Sequence, residues 1–263
     1  MVDPGDAIDK ARKAVSERAE LPGMSLMEHL EELRKRIVHS AIYLALGFIV
    51  AWIFHTAIVQ FFQAPLNRIG RSLVITHPMD ALNLYLQASL LAGAILASPF
   101  ILYQVWLFIA PGLYQKEKRF VVPFMAATVG LFLSGAAFGY YWVLPGAIKI
   151  LVIDFGNKFT PMITIEDYTS FFLSVILGLG ISFEMPILIF FLAMFGIVSP
   201  KFLWKNIRYA ILAVFLVAAI ITPSPDPWTM CIYAIPMLAL YMIGIGVAWW
   251  VHPSRKKAKE AAS

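Results

Sequence analysis

Chemistry in this chain would have to come from five histidines, one cysteine and sixteen acids, and their spacing argues against catalysis. His29, His39, His55, His77 and His252 are scattered, without the i, i+4 or short-loop spacing that lets side chains share a metal ion. Ser134-Gly135 does not complete a Gly-x-Ser-x-Gly nucleophile turn, and no histidine lies at comparable depth in its apolar run. A lone Cys231 excludes an internal disulfide or a cysteine cluster, and its apolar neighbours make it read as a small buried hydrophobe. No phosphate-binding glycine loop is present. The residues predict neither an enzyme nor a cofactor or metal site.

A few acids stand out instead. Glu184 lies inside an apolar run, in Gly180-Ile181-Ser182-Phe183-Glu184-Met185-Pro186. An ionisable group at membrane depth costs several kcal/mol unless it is paired, hydrated or neutralised, so it marks a functional site by default. Ser182 and the carbonyls freed near Pro186 could hydrate it. The structural alternative is a protonated, hydrogen-bonded acid.

Glu32 and Arg34 belong to a segment opened by Ser25-Leu26-Met27-Glu28, which has capping-box spacing. Leu26, Leu30, Leu33 and Ile37 then share one helical face, which predicts an amphipathic helix at the membrane surface. Its charges could be merely solvated, or Glu32 and Arg34 could form a recognition surface. Glu117 is the single acid among Lys116, Lys118 and Arg119, either paired locally or ready to accept an incoming guanidinium. Planar carboxylate–Arg pairing can be bidentate, which Lys cannot reproduce. Asp226, before the last apolar run, could be a helix N-cap.

These residues need elements to position them, and the composition says which. The chain is 60% hydrophobic and 14% charged, against about 45–50% and about 25% in soluble domains. Spans of about 20 apolar residues cross the hydrocarbon. The candidates are 37–59, 82–109, 121–143, 168–197, 207–222 and 228–251. The fifth, at 1.5 Å per residue, reaches only roughly 24 Å. Pro99, Pro186 and Pro236 lie inside spans. Trp52, Trp142, Trp228, Trp249 and Trp250 fall near span ends as interfacial anchors. No removable signal peptide is expected at the start.

Lys and Arg placement sets the orientation. Lys10, Arg12, Lys13, Arg18, Arg34, Lys35, Arg36, Lys116, Lys118, Arg119, Lys201, Lys205, Arg208, Arg255, Lys256, Lys257 and Lys259 fall on one side, seventeen of the 21 basic residues. Only Arg68, Arg71, Lys149 and Lys158 fall on the other. The charge pattern predicts two cytoplasmic termini and an even span count. The positive charge therefore reads as a topology signal and not as a nucleic-acid surface. The expected organisation is an all-α polytopic membrane protein: a mobile tail over 1–24, a single six-helix transmembrane domain over 25–251, and a basic tail over 252–263. The far-side connections 60–81 and 144–167 carry Pro65, Pro78, Pro145 and Pro161 and are expected to form an ordered cap.

Several segments in order resemble the TatC family. They are His29 through Arg36; Tyr103 through Trp106 followed by Phe108 through Arg119; Gly180 through Pro186; and Thr222-Pro223 with Asp226, then Ala234 through Met237. The resemblance covers roughly residues 25–250. It implies a concave, glove-like six-helix arrangement in the bacterial inner membrane. It also implies binding of twin-arginine signal peptides of folded cargo, TatA and TatB as single-span partners in an oligomeric complex, and transport driven by the proton motive force. By resemblance, Glu32 and Glu117 receive the two arginines, Arg34 and Phe108 support that surface, Glu184 lines the concave face, and Thr222 with Asp226 lies near the partner-helix contacts. The chain departs from the family in having Met242 where many relatives carry an acid, and an extra Ser224 between the turn prolines. Two competing readings are a secondary transporter of a small ion or solute and an intramembrane hydrolase. The first would need repeat-related broken helices and several midplane ionisable groups, the second a nucleophile with a base at depth.

Overall fold

The computed structural model describes residues 26–109, 121–156, 158–222 and 226–251. Among these, five helices are long and apolar enough to cross a membrane, and Ile207–Ile221 is a shorter apolar helix. With it the chain has six spans and a concave, glove-like arrangement, as expected. Both tails lie outside the described residues.

Helix α1 runs Leu26–Ile53 without interruption. The segment expected to lie along the membrane surface is instead the first turns of the span itself, because no Gly or Pro separates it from the apolar run. The chain breaks at Phe54 and continues as α2, His55–Asn67. At that break the His55 ring contacts the Trp52 carbonyl at 2.8 Å, offering a partner to one of the acceptors a helix end leaves open. A short strand, β1 (Leu73–Val74), follows.

Helix α3 spans Asp80–Ile109 and passes through Pro99. Proline leaves the carbonyl four residues back without its donor, here that of Ile95. The Ser98 hydroxyl supplies one, at 2.7 Å. Helices α1 and α3 meet through Gly47 and Gly93. A Cβ on Gly47 would sit 2.5 Å from the Gly93 carbonyl oxygen, and one on Gly93 2.6 Å from the Phe48 nitrogen. Small residues at such a crossing let two backbones touch, which is how helices gain contact where the solvent is itself apolar.

The third span corrects the expected boundary at Val143. Helix α4 (Val121–Phe138) passes into a π-helical turn, Gly139–Val143, then α5 (Leu144–Ile148) and a second π-helical stretch to Asp154. Pro145 does not start a loop. The wide turn before it, closed by the Leu144 N–H on the Gly139 carbonyl, places the ring in the first turn of α5, where its missing donor costs nothing. The far-side connections are therefore shorter than expected. They are tied together by β1 pairing in parallel with β2 (Ile163–Thr164), with Leu73 opposite Ile163 and Val74 opposite Thr164.

The fourth span is also two helices, α6 (Ile165–Ser182) and α7 (Met185–Met194), broken at Phe183-Glu184 just before Pro186. A short helix that the sequence reading does not anticipate, α8 (Pro200–Lys205), is capped by the Ser199 hydroxyl. The Tyr241 hydroxyl donates to its Leu203 carbonyl at 3.0 Å. Then come α9 (Ile207–Ile221) and α10 (Pro227–Val251). The main core joins Phe62 and Leu66 of α2, Val175 and Leu179 of α6, and Tyr233 and Met237 of α10. Cys231 is only half-buried, not the fully buried hydrophobe its neighbours suggest.

Candidate functional site

The first turns of α1 lie against the last turns of α3, and this crossing gathers the polar groups of one corner. Glu32 and Arg36, one helical turn apart, form an ion pair at 3.0 Å. Arg36 also donates to the Gln104 side-chain oxygen of α3 at 3.3 Å. Below them the His29 ring stacks on Phe108, with centroids 4.5 Å apart and planes 23° from parallel. The pairing is thus a bridge from α1 to α3, braced by an aromatic stack.

The Glu32 side chain is only 13% exposed, and the pairing leaves one of its oxygens over. Oε1 takes Arg36, while Oε2 and the Arg36 Nε have no hydrogen-bond partner among the described residues. A buried charged acceptor with an unused oxygen bears a desolvation cost that any suitable donor would relieve. The corner therefore holds an unmet demand for a donor, which a planar cation engaging a carboxylate edge on would meet best.

Among the residues singled out by sequence, Glu32 and Phe108 are brought together here. Arg34, two positions from Glu32, is exposed. Glu117 lies outside the described residues. Arg36 and Gln104 received no role from the sequence reading. A signal for Arg36 existed in its i, i+4 spacing from Glu32, and one for Gln104 in its being the amide in the last turns of an apolar run that also holds Asn83 and Gln87 near its start.

Glu184 sits apart from this corner in sequence and element, half-buried at the α6–α7 break. Its Oε1 has no hydrogen-bond partner among the described residues. Ser182, expected as a hydrating neighbour, instead donates to the Gly178 carbonyl at 2.6 Å. The break leaves a carboxylate at membrane depth without the donors that would make it a settled structural acid.

At the opposite end of the molecule the polar groups are turned inward. The buried Thr222 hydroxyl donates to the Ala218 carbonyl at 2.6 Å and closes α9. Asp226 accepts from the Thr229 N–H at 2.8 Å, and its carboxylate also receives the Thr229 hydroxyl. That is the N-cap reading of Asp226, realised in full. Among the described residues no three His, Cys, Asp or Glu side chains converge on a possible metal site.

Comparison with known proteins agrees with this architecture. The family model for the Sec-independent protein translocase protein TatC matches residues 28–236. A Sec-independent protein translocase protein TatC from Koribacter versatilis is 52% identical over 265 residues, covering 98% of this chain and 97% of that one. Another, from Carboxydothermus hydrogenoformans, is 37% identical, covering 88% of this chain and 95% of its own. A crystal structure of the twin arginine translocase receptor TatC superposes with a TM-score of 0.78 at 37% identity, covering 85% of this chain and 99% of that one. The match runs through both the Glu32 corner and the Glu184 break, and on this evidence the chain belongs to the TatC family of Sec-independent protein translocase proteins.

Proposed function

We propose that this protein is the receptor component of twin-arginine translocation, binding the signal peptides of folded cargo at the Glu32 corner. The observation that carries the reading is the half-used Glu32 carboxylate. One oxygen is held by Arg36 and its buried neighbour has no donor among the described residues, so the carboxylate has an unmet demand for a donor that a guanidinium reaching it as the corner opens would fill. Arg36 and Gln104 act as positioning residues that keep the carboxylate on the α1–α3 seam.

The corner lies on the face where the basic residues of the chain collect, which we assign to the cytoplasm of a bacterial cell whose inner membrane holds the protein. A face of that sign attracts anionic headgroups and repels an Arg-rich peptide, so recognition needs specific carboxylates to offset the field. Glu32 supplies one and Glu117 the second, each taking one arginine of the pair. Arg34 and Phe108 border the surface. The apolar stretch of the peptide then enters beside Glu184, whose carboxylate meets it at membrane depth. The α9–α10 end, with Thr222 and Asp226, is the side on which TatA and TatB helices join the chain in an oligomeric complex. The proton motive force drives passage, and no nucleotide or other cofactor enters. The segments 1–24 and 252–263 act as tails outside the single helical domain.

Binding of a twin-arginine signal peptide to the solubilised protein, against the same peptide with both arginines changed to lysine, tests the reading. Strong preference for arginine, lost in the Glu32→Ala, Glu117→Ala double variant, is expected. Equal binding of the two peptides, or unchanged binding by the double variant, overturns the assignment.

A further inference from the structure

Between α2, α3, α4 and α6 lies a cavity of about 270 Å³ that the receptor reading does not use. Its walls include Phe61, Phe62, Leu91, Leu133, Ala137 and Ile176. The Tyr140 hydroxyl at its edge is already committed to the Phe61 carbonyl at 2.9 Å, and the two rings stack with centroids 4.2 Å apart. Phe61, Leu133 and Ala137 are exposed on the outer surface of the helices, so the cavity opens sideways toward lipid. An apolar cavity of this kind is not filled by water.

A positive charge stands over this opening. Arg68 caps α2 in helical geometry, seven residues beyond Phe61. Seven residues bring a side chain back to the same helix face roughly 10 Å further along the axis. Arg68 is exposed and close enough to Tyr140 to act electrostatically on its hydroxyl. A cation thus lies beyond the cavity on the same face of α2, on the side where basic residues are few.

We infer that the cavity holds one acyl chain of a phospholipid from the surrounding bilayer, with the lipid phosphate against Arg68. Charge separates this occupant from an apolar peptide. The cavity is apolar where the chain would lie and positive where a phosphate would lie, and an apolar peptide segment offers no anion for Arg68.

The test uses the full chain in lipid nanodiscs with two photoactivatable probes carrying the same diazirine on the acyl chain, one a phosphatidylcholine and one a diacylglycerol without phosphate. The phosphatidylcholine is expected to label Phe61, Leu133 and Ala137 at least fivefold more than the exposed Leu212, Leu216 and Ile220 of α9. It should also exceed the diacylglycerol, and Arg68→Gln should erase that difference. Ala92→Trp, which puts a large ring into the cavity wall, should remove cavity labelling by both probes while labelling of α9 persists. Labelling no stronger in the cavity than on α9 overturns the proposal, as does labelling that Ala92→Trp leaves intact. So does a photoactivatable apolar peptide that labels the cavity when the phosphatidylcholine does not.

Discussion

The Glu32 corner and the Asp226 turn both place a carboxylate at a helix beginning, yet they use it in opposite ways. Asp226 spends its oxygens on its own helix, through the Thr229 N–H and hydroxyl, and Thr229 is fully buried beneath it. Glu32 spends one oxygen on a neighbour that is itself shared with another helix, and its second has no donor among the described residues. Asp80 is satisfied too, although by the turn before its helix: its Oδ2 accepts from the Thr76 and His77 N–H groups and from the Thr76 hydroxyl. At Asp226 and Asp80 the carboxylate is satisfied close by in the chain, whereas Glu32 keeps an acceptor that no described residue fills. Satisfied groups make scaffold, and unsatisfied ones in a held geometry make a site.

The comparison breaks most completely if the two helices that build the corner are forced apart. Gly93→Leu puts a side chain where a Cβ alone would lie 2.6 Å from the Phe48 backbone. Overpacking of this kind costs about 1–3 kcal/mol or more. We expect a clear fall in the detergent unfolding temperature together with loss of peptide binding. A stable, binding-competent Gly93→Leu protein would show that the seam is not what positions Glu32.

Next in size is Glu32→Gln, which keeps the shape and removes the charge. Affinity for the twin-arginine peptide should fall about tenfold or more, the scale of one charge-assisted pair at roughly 1.5–3 kcal/mol. Thermal stability should change less than in Gly93→Leu. Calorimetric titration reads the first and a melting scan the second. Equal affinity in the Gln variant would place the receptor chemistry elsewhere.

Asp226→Ala should do the reverse. Loss of an N-cap costs about 1 kcal/mol. A lower unfolding temperature with unchanged peptide affinity is expected from the same two measurements. A change in affinity would mean that the capped turn reaches the site and that the contrast is overdrawn. The smallest effect should come from Ser98→Ala, which removes the donor from the Ile95 carbonyl below Pro99. Hydrogen bonds within membranes average only about 0.6 kcal/mol. A slight destabilisation with an intact Gln104 contact is expected, read as unchanged discrimination between arginine and lysine peptides.

Much of the architecture is legible in the residues. The six apolar runs locate the six spans. Hydropathy adds along the chain, so it survives ignorance of the fold. The motif around Glu32 and the half-buried Glu184 also announce themselves, because acids in or beside apolar runs are costly. Pro145 misleads because a proline at a loop start and a proline after a π-helical turn look alike until the backbone hydrogen bonds are known.

Sequence alone determines how many times this chain crosses the membrane, which acids are out of place and which family it belongs to. Each of these follows from residue types taken along one strand of chain. Tertiary structure decides that Arg36 reaches both Glu32 and Gln104, that β1 finds β2, and that four helices leave a cavity beneath Arg68. Those pairings depend on the depth and rotation of one helix against another. Close approaches such as Gly47 against Gly93 set these, and no periodicity within a single helix records them.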